Sequence, residues 1–430
     1  MTSTAERDPV DHDGHEQNWA GTYTYGAARI LSPHTIDELQ EAVAREPVIR
    51  ALGTRHSFNA VADSPGALVT TTAIPANIAI AADRQSVTVG AGTRYAELAT
   101  VLEAEGLALH NMGSLPHISV GGAIATGTHG SGTTLGSLST AVRSLEIVGP
   151  DGTLRTIRRG DEGFDGSVIA LGALGVTARV TLDVEPSFRM RQDAYLGVPW
   201  SALEGDGFRD VMGLGYSVSL FTDYGDTRRE LLVKTRVPDG AADVPMPDEL
   251  VGAHRDPRER NPIDPTSNSN PSDGTVGPWS ERLPHFRIDR TPSVGSEIQS
   301  EWVVDLDDAG RALGILTALG DRIRPHLHVT EIRTIAADDL WLSTTAGRDS
   351  IAFSFTWKKH PAEVGALLPV IEEALRPLSP RPHWGKMTAL GPADVARLYP
   401  RLDDFRALVA DADPARKFAG GYVDHLVLGR

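Results

Sequence analysis

The 430-residue chain contains no cysteine. Disulfides, thiolate metal sites and any cysteinyl tether to a cofactor are thereby excluded, and nothing in the composition calls for an oxidising compartment. Positive charge is also scarce. The 41 basic residues against 57 acidic ones leave a net charge of −16, which disfavours nucleic acid and anionic membrane surfaces and suits a neutral or locally steered small molecule. No apolar run approaches the ~20 residues that span a bilayer; the longest, 168–178, stops at Arg179. The first ten residues carry Glu6, Arg7 and Asp8 and lack the apolar centre of a signal peptide. These absences lead to the expectation of a cytoplasmic protein, a monomer, with no nucleic-acid, membrane or metal partner.

The length exceeds one ordinary core, and at ~150 residues per domain two or three are expected. Residues 1–17 are polar; His12 and His15 have metal-like spacing but read as part of a solvated, mobile tail. Thr35 and Glu38 form a capping box for a helix through Ile36, Leu39 and Val43, which leads to an apolar strand, Val48, Ile49, Ala51, Leu52. That strand ends in Gly53-Thr54-Arg55-His56-Ser57-Phe58-Asn59. Gly53 lets the backbone turn, and Thr54, Arg55, Ser57 and Asn59 crowd donors and one positive charge around successive N–H groups, as a diphosphate cradle requires. His56 places an imidazole within reach of a bound cofactor's ring system. A second strand and turn, Val87, Val89 and Gly90-Ala91-Gly92, precedes a helix marked by Tyr95, Leu98 and Leu102. Tyr95 stands where a dinucleotide fingerprint needs its third glycine, so no nicotinamide site is expected.

Residues 111–132 hold six glycines interleaved with Leu115, Ile118, Val120 and Ile124. So much glycine argues against a regular core element and for a loop whose backbone N–H groups press on a ligand. A hairpin is expected from Leu145 to Val148 and Leu154 to Ile157 around Gly149-Pro150-Asp151-Gly152, and the run Leu171 to Val176 is small enough to pack on a flat ring. The first domain closes near Val184-Glu185-Pro186.

A second domain starts near Phe188, with an irregular excursion over 237–278. From 298 on, the text reads strand (298–304), helix (309–319), strands (329–335 and 351–357), helix (364–375), an α+β domain with an antiparallel sheet. Side-chain alternation puts Glu331 and Arg333 on one face of the first late strand, and Ser354 and Thr356 on one face of the second, opposite Ile351, Phe353, Phe355 and Trp357. If these strands pair, a carboxylate, a guanidinium and two hydroxyls share one face, the set a neutral polyhydroxy ligand needs. Lys386, in the non-helical Pro382-His383-Trp384-Gly385-Lys386, is a further pocket candidate.

These motifs, with Asn18-Trp19-Ala20-Gly21, Ser114 to Val120, Ala125 to Gly132 and Glu331-Ile332-Arg333-Thr334, resemble in order and over nearly the whole chain the vanillyl-alcohol-oxidase flavoproteins, in particular their alditol (xylitol) oxidases, relatives of the sugar-1,4-lactone oxidases. The resemblance implies a two-domain α+β fold of the PCMH-type FAD-binding class. It divides the chain into an FAD-binding domain (18–190), a substrate domain (191–384) and a C-terminal return to the first (385–430). It implies FAD bound covalently at the 8α carbon through His56. Cofactor contacts are implied for Gly53, Thr54, Arg55, Ser57, Phe58 and Asn59; for Ser114, His117, Ser119, Gly121, Gly122, Ala125 and Thr126; for Gly127, Thr128, His129 and Gly130; and for Gly172, Gly175, Val176 and His383. The implied substrate residues are Ser114, Glu331, Arg333, Thr356 and Lys386, with Ser354 beside them. Arg333, Lys386 and Glu331 carry the chemistry: oxidation of an alditol's primary hydroxyl, with O2 as acceptor and H2O2 as co-product. The alternative is a sugar or aldonolactone oxidase or dehydrogenase with a cyclic substrate. Gly113 is the small residue that in these relatives goes with oxidase behaviour. The family pattern has histidine at the position of Ser354 and asparagine at that of Gly420, and the first of these departures bears on which polyol is taken.

Overall fold

The computed structural model describes residues 16–226, 229–258, 269–290 and 297–430. The expected tail lies outside these residues up to position 15, with His12 and His15; Gln17 already forms an antiparallel bridge with Thr24. Thr35 caps the helix Ile36–Arg45 by accepting the Glu38 N–H, and the amphipathic helix buries Leu39, Ala42 and Val43. The Glu38 carboxylate accepts from the His34 N–H, one residue earlier than a reciprocal capping box requires. The strand Ile49–Leu52 follows, parallel to Ala67–Thr70, which pairs on its other side with Arg29–Leu31. A five-stranded antiparallel sheet runs in the order Ala79–Ile80, Ser86–Gly90, Val176–Asp183, Val142–Val148, Leu154–Arg158, its last two strands being the expected hairpin.

The glycine-rich stretch is not irregular throughout, because Val120–Ala125 is a short helix. Glycine is a poor helix former, but size decides here: a Cβ on Gly121 would lie 2.8 Å from that of Ala91, and one on Gly122 would lie 2.9 Å from Ser119 Oγ. The helices Pro392–Leu398, Leu402–Ala412 and Gly421–Leu426 bury Val395, Leu402, Phe405 and Leu426 in the core that also holds Val87, Leu98 and Val180. The end of the chain thus returns to its beginning, and Ile49 N–H donates to Lys417 O at 2.8 Å.

Between these parts lies a ten-stranded sheet whose central order is Arg189–Leu196, Arg229–Val237, Ser217–Thr222, Leu327–Ile335, Ser350–Lys358, Glu297–Asp305, every pair antiparallel. One face is apolar. Ile351, Phe353, Phe355 and Trp357 are fully buried there beneath the helices Ala309–Ala318 and Pro361–Leu375. The excursion over 237–278 is less irregular than expected: Ala253–Asp256 pairs with Arg189–Leu196 and carries Glu249–Leu250 at the sheet edge, while 259–268 falls outside the described residues. Among the described residues, no helix is long and apolar enough to cross a membrane.

Candidate active site

The opposite face of this sheet is polar because the register aligns the polar positions. Phe221 pairs with Glu331, Glu331 with Ser354, and Ser354 with Glu301; one step along, Ser219 faces Arg333, and on the other side Gln299 faces Thr356. Glu331, Arg333, Ser354 and Thr356 therefore share a face, as side-chain parity predicts. All four line a cavity with Ser114, Glu297, Gln299, His383 and Lys386.

The charges on this face are closely coupled. Glu331 Oε1 accepts from Ser219 Oγ (2.9 Å) and His285 Nε2 (2.8 Å) and lies 3.7 Å from Arg333 Nε. Burial alone would raise the Glu331 carboxyl, but Arg333, then His285, outweigh it and hold it far below the usual carboxylate range. Arg333 donates to His129 O (3.2 Å) and Ser114 Oγ (3.4 Å), while its Nε has no hydrogen-bond partner among the described residues. That leaves one buried donor of this face unsatisfied. Lys386 Nζ donates to Ser354 Oγ and to Glu301 Oε2, each at 2.7 Å. Burial lowers the Lys386 pKa, and Glu301 offsets part of that shift.

Lys386 reaches the face because its loop is tied on both sides. Pro382 pairs with Trp302 at the sheet edge, and Trp384 Nε1 donates to Leu342 O at 2.7 Å. Asn59 Nδ2 donates to both Trp384 O (2.9 Å) and Lys386 O (2.8 Å), and Phe58 N–H to Gly385 O (2.7 Å). The turn after the first strand and the lysine loop are therefore stitched together across more than 300 residues. His383, buried and lowered to about 3, is neutral; its Nδ1 accepts the Gly385 N–H.

The cavity continues from this face along the turns of the first domain. Gly53, Thr54, Arg55, His56, Ser57 and Phe58 line it, as do Ser119, Gly121, Gly122, Ala125, Thr126, Thr128, His129, Gly172 and Gly175. The left-handed residue of the first turn is Arg55 (φ 63°) rather than Gly53. Gly53 is needed for close approach instead, since a Cβ there would lie 3.1 Å from Ser119 Oγ. Thr54 Oγ1 accepts the Ser119 N–H at 3.1 Å and sits 3.1 Å from His56 Nδ1, joining the two loops. Burial lowers the His56 pKa to about 3, leaving the imidazole neutral, stacked 5.4 Å from Trp19. Glycine backbone, small hydroxyls and the Arg55 guanidinium stand beside apolar Val61, Ile147, Leu171 and Leu174. That donor set fits a dinucleotide with an anionic diphosphate and flat rings.

Five expected cofactor positions are not on the cavity wall. Asn59 is the latch described above. His117 is near enough to His56 to oppose its protonation. Gly127 makes a left-handed turn (φ 68°) over Ile169, Gly130 packs where a side chain would collide with Asn111, and Val176 is buried with Leu39 and Val43. Residues that the sequence reading missed include Glu301, Gln299, Ser219, His285 and Arg50. The first two were legible: Glu297, Gln299 and Glu301 alternate on one strand and so share a face. Arg50 is 2 % exposed and donates to Val61 O, Leu171 O and Phe418 O. A Cβ on Gly420 would lie 2.6 Å from Arg50 Cδ, so the asparagine of the family pattern has no room here.

Two family models match the chain: an FAD binding domain over residues 27–158 and D-arabinono-1,4-lactone oxidase over residues 291–426. Alditol oxidase from a Streptomyces species is 43% identical over 420 residues, covering 96% of this chain and 99% of that protein. L-gulono-1,4-lactone dehydrogenase from Mycobacterium tuberculosis is 27% identical over 94% of this chain and 97% of its own. Among solved structures, cholesterol oxidase from B. sterolicum superposes with a TM-score of 0.75 at 19% identity, covering 96% of each chain, which is a likeness of fold.

Proposed function

The chain belongs to the vanillyl-alcohol-oxidase flavoproteins as a relative of alditol oxidase, and we propose that it oxidises a primary hydroxyl of a xylitol- or sorbitol-like alditol to the aldose, with FAD as cofactor and O2 as acceptor. The observation that carries this reading is the polar sheet face: two cations, Arg333 and Lys386, stand beside Glu331, Ser354 and Thr356 on one cavity wall. A neutral ligand rich in hydroxyls suits that set.

Bound FAD would take the hydride from the carbinol carbon and pass the electrons to oxygen, giving H2O2. Loss of the hydroxyl proton to water would put negative charge on the substrate oxygen, which Arg333 and Lys386 are fixed beforehand to stabilise until that charge departs with the hydride. Glu331, held ionised, accepts from another hydroxyl, while Ser114 and Thr356 orient the next ones. Thr54, Arg55 and Ser57 would hold the diphosphate. His56, a neutral imidazole with a free lone pair at neutral pH, would carry the flavin through its 8α carbon. A cytoplasmic monomer is part of the same proposal, tested by cell fractionation and size-exclusion chromatography.

Oxygen uptake with alditols, aldoses and aldonolactones tests the function. Alditols should be the best substrates; turnover of lactones alone would transfer the protein to the second reading, a sugar or aldonolactone oxidase, which the lactone-oxidase match over residues 291–426 favours. Peroxide is expected as co-product. Gly113 lines the cavity, and a Cβ there would lie 3.4 Å from Thr128 Cγ2, so alanine fits while a branched side chain crowds the site. Gly113→Val should slow reoxidation by O2 more than reduction by polyol, as stopped flow would resolve. Wild-type turnover with an artificial acceptor but no peroxide would sink the oxidase assignment.

Ser354→His restores the family imidazole and inserts bulk beside Lys386. A pocket change of this size is worth about 1–3 kcal/mol, ~10-fold or more in discrimination. The kcat/KM ratio of xylitol to sorbitol should therefore move by at least that factor; an unchanged ratio would remove Ser354 from the specificity wall.

A further inference from the structure

We propose that Glu301, which is not on the cavity wall, is the positioning residue of this site: its carboxylate holds Lys386 and Arg333 on the reacting carbon from beneath. The inference rests on the reading of the cavity as a polyol-oxidising centre.

Glu301 is fully buried in the strand Glu297–Asp305 and gathers three donors. Lys386 Nζ lies 2.7 Å from Oε2, Arg333 Nη2 lies 3.4 Å from the same oxygen, and His129 Nε2 lies 2.7 Å from Oε1. The other His129 nitrogen, Nδ1, is 2.9 Å from Gly130 O, which only accepts. Both ring nitrogens thus face acceptors, and the 2.7 Å contact places a proton between Nε2 and Oε1. The backbone helps as well: His383 N–H donates to Glu301 O at 3.1 Å, anchoring the loop that carries Lys386.

A buried carboxylate is costly unless cations and hydrogen bonds surround it. Here burial, which by itself would raise the Glu301 carboxyl, is outweighed by Lys386 and then His129, and Glu301 stays well below the usual carboxylate range. The reverse effect matters for the reaction. Lys386 faces Arg333 and Glu331 from the strand Leu327–Ile335, Ser354 from Ser350–Lys358 and His383 from its own loop, while His129 from the glycine-rich segment shares Glu301 with it. Burial and Arg333 push it toward the neutral amine, whereas Glu301 is the largest influence holding it charged and Glu331 adds a smaller one. A neutral Lys386 would leave the developing alkoxide with Arg333 alone.

The test uses the flavin-loaded protein, with anaerobic reduction by xylitol followed from pH 6 to 9. The rate is present while Lys386 is protonated and lost as pH rises through its pKa. Without the Glu301 charge that pKa falls, so Glu301→Gln should move the basic limb to lower pH by about one unit, roughly a tenfold loss above the new limb, with recovery on acidification. Glu301→Asp, which keeps the charge but draws it back, should fall between the two and serves alone if Glu301→Gln does not accumulate folded. Binding of xylonate, an anion throughout this range, is a second readout by perturbation of the flavin spectrum, and its affinity for Glu301→Gln should weaken as pH rises. In a Lys386→Met background, Glu301→Gln should add no further pH dependence. An unshifted limb in an active, folded Glu301 variant, or an equal shift of the basic limb in the Lys386→Met background, would overturn the inference while leaving the function standing. If wild type is neither reduced by polyols nor perturbed by xylonate, the functional reading fails and the role of Glu301 with it.

Discussion

Lys386→Met is expected to slow anaerobic flavin reduction by polyol about a hundredfold while flavin content and folding stay intact. Lys386 lies 2.7 Å from both Ser354 Oγ and Glu301 Oε2, held in place before any substrate binds. Its charge stabilises an alkoxide that is absent from the bound neutral alcohol and forms only on the way to hydride transfer, so its loss weakens the transition state far more than the ground state. One preorganised charged donor is worth ~3 kcal/mol, or about a hundredfold in rate. Methionine keeps most of the stem volume and removes only the charge. Stopped flow on Lys386→Met and on Ser354→His gives the comparison: the lysine variant should be the slower by a wide margin. Reduction of Lys386→Met at the wild-type rate, or greater damage from Ser354→His, would place the reacting carbon elsewhere.

His56→Ala should abolish covalent flavin attachment. The wild-type protein should stay yellow after denaturation and precipitation, because the flavin is bonded to the chain, whereas the variant should release all of its flavin to the supernatant. The expectation stems from an imidazole that is half-buried in the cavity wall, fixed between Trp19 and Thr54, and kept neutral by desolvation with its pKa lowered to about 3. The chain has no cysteine to act as a second tether. Complete loss of colour from denatured wild-type protein would show that FAD is held without a covalent bond.

The polar face was legible because side-chain alternation is a local property. Glu331 with Arg333, and Ser354 with Thr356, needed only the assumption that two strands pair. Glu301 escaped although Glu297, Gln299 and Glu301 alternate in the same way, because a carboxylate on the strand next to the sheet edge reveals its partners only through register. Asn59 shows a related limit of local reading. Its motif suggests a cofactor contact, but its amide is used by carbonyls at Trp384 and Lys386, more than 300 residues away. The helix Val120–Ala125 was hidden by propensity, since Gly121 and Gly122 argue against a helix until Ala91 and Ser119 are seen pressing on them. Likewise the motif suggests Gly53 as the turn residue, whereas the left-handed position is Arg55 and glycine serves the approach of Ser119.

The central claim is that this sheet face reads several hydroxyls at once while two cations wait at the reacting one. Anaerobic flavin reduction by xylitol against pentane-1,5-diol measures that most directly. The diol keeps the primary hydroxyls and the chain length but lacks the groups for Glu331, Ser114 and Thr356. A site built to hydrogen-bond hydroxyls rejects an analogue lacking them by about 10⁴-fold, so xylitol should reduce the flavin rapidly and the diol slower by a factor of that order. Comparable kcat/KM values for the two would contradict the account.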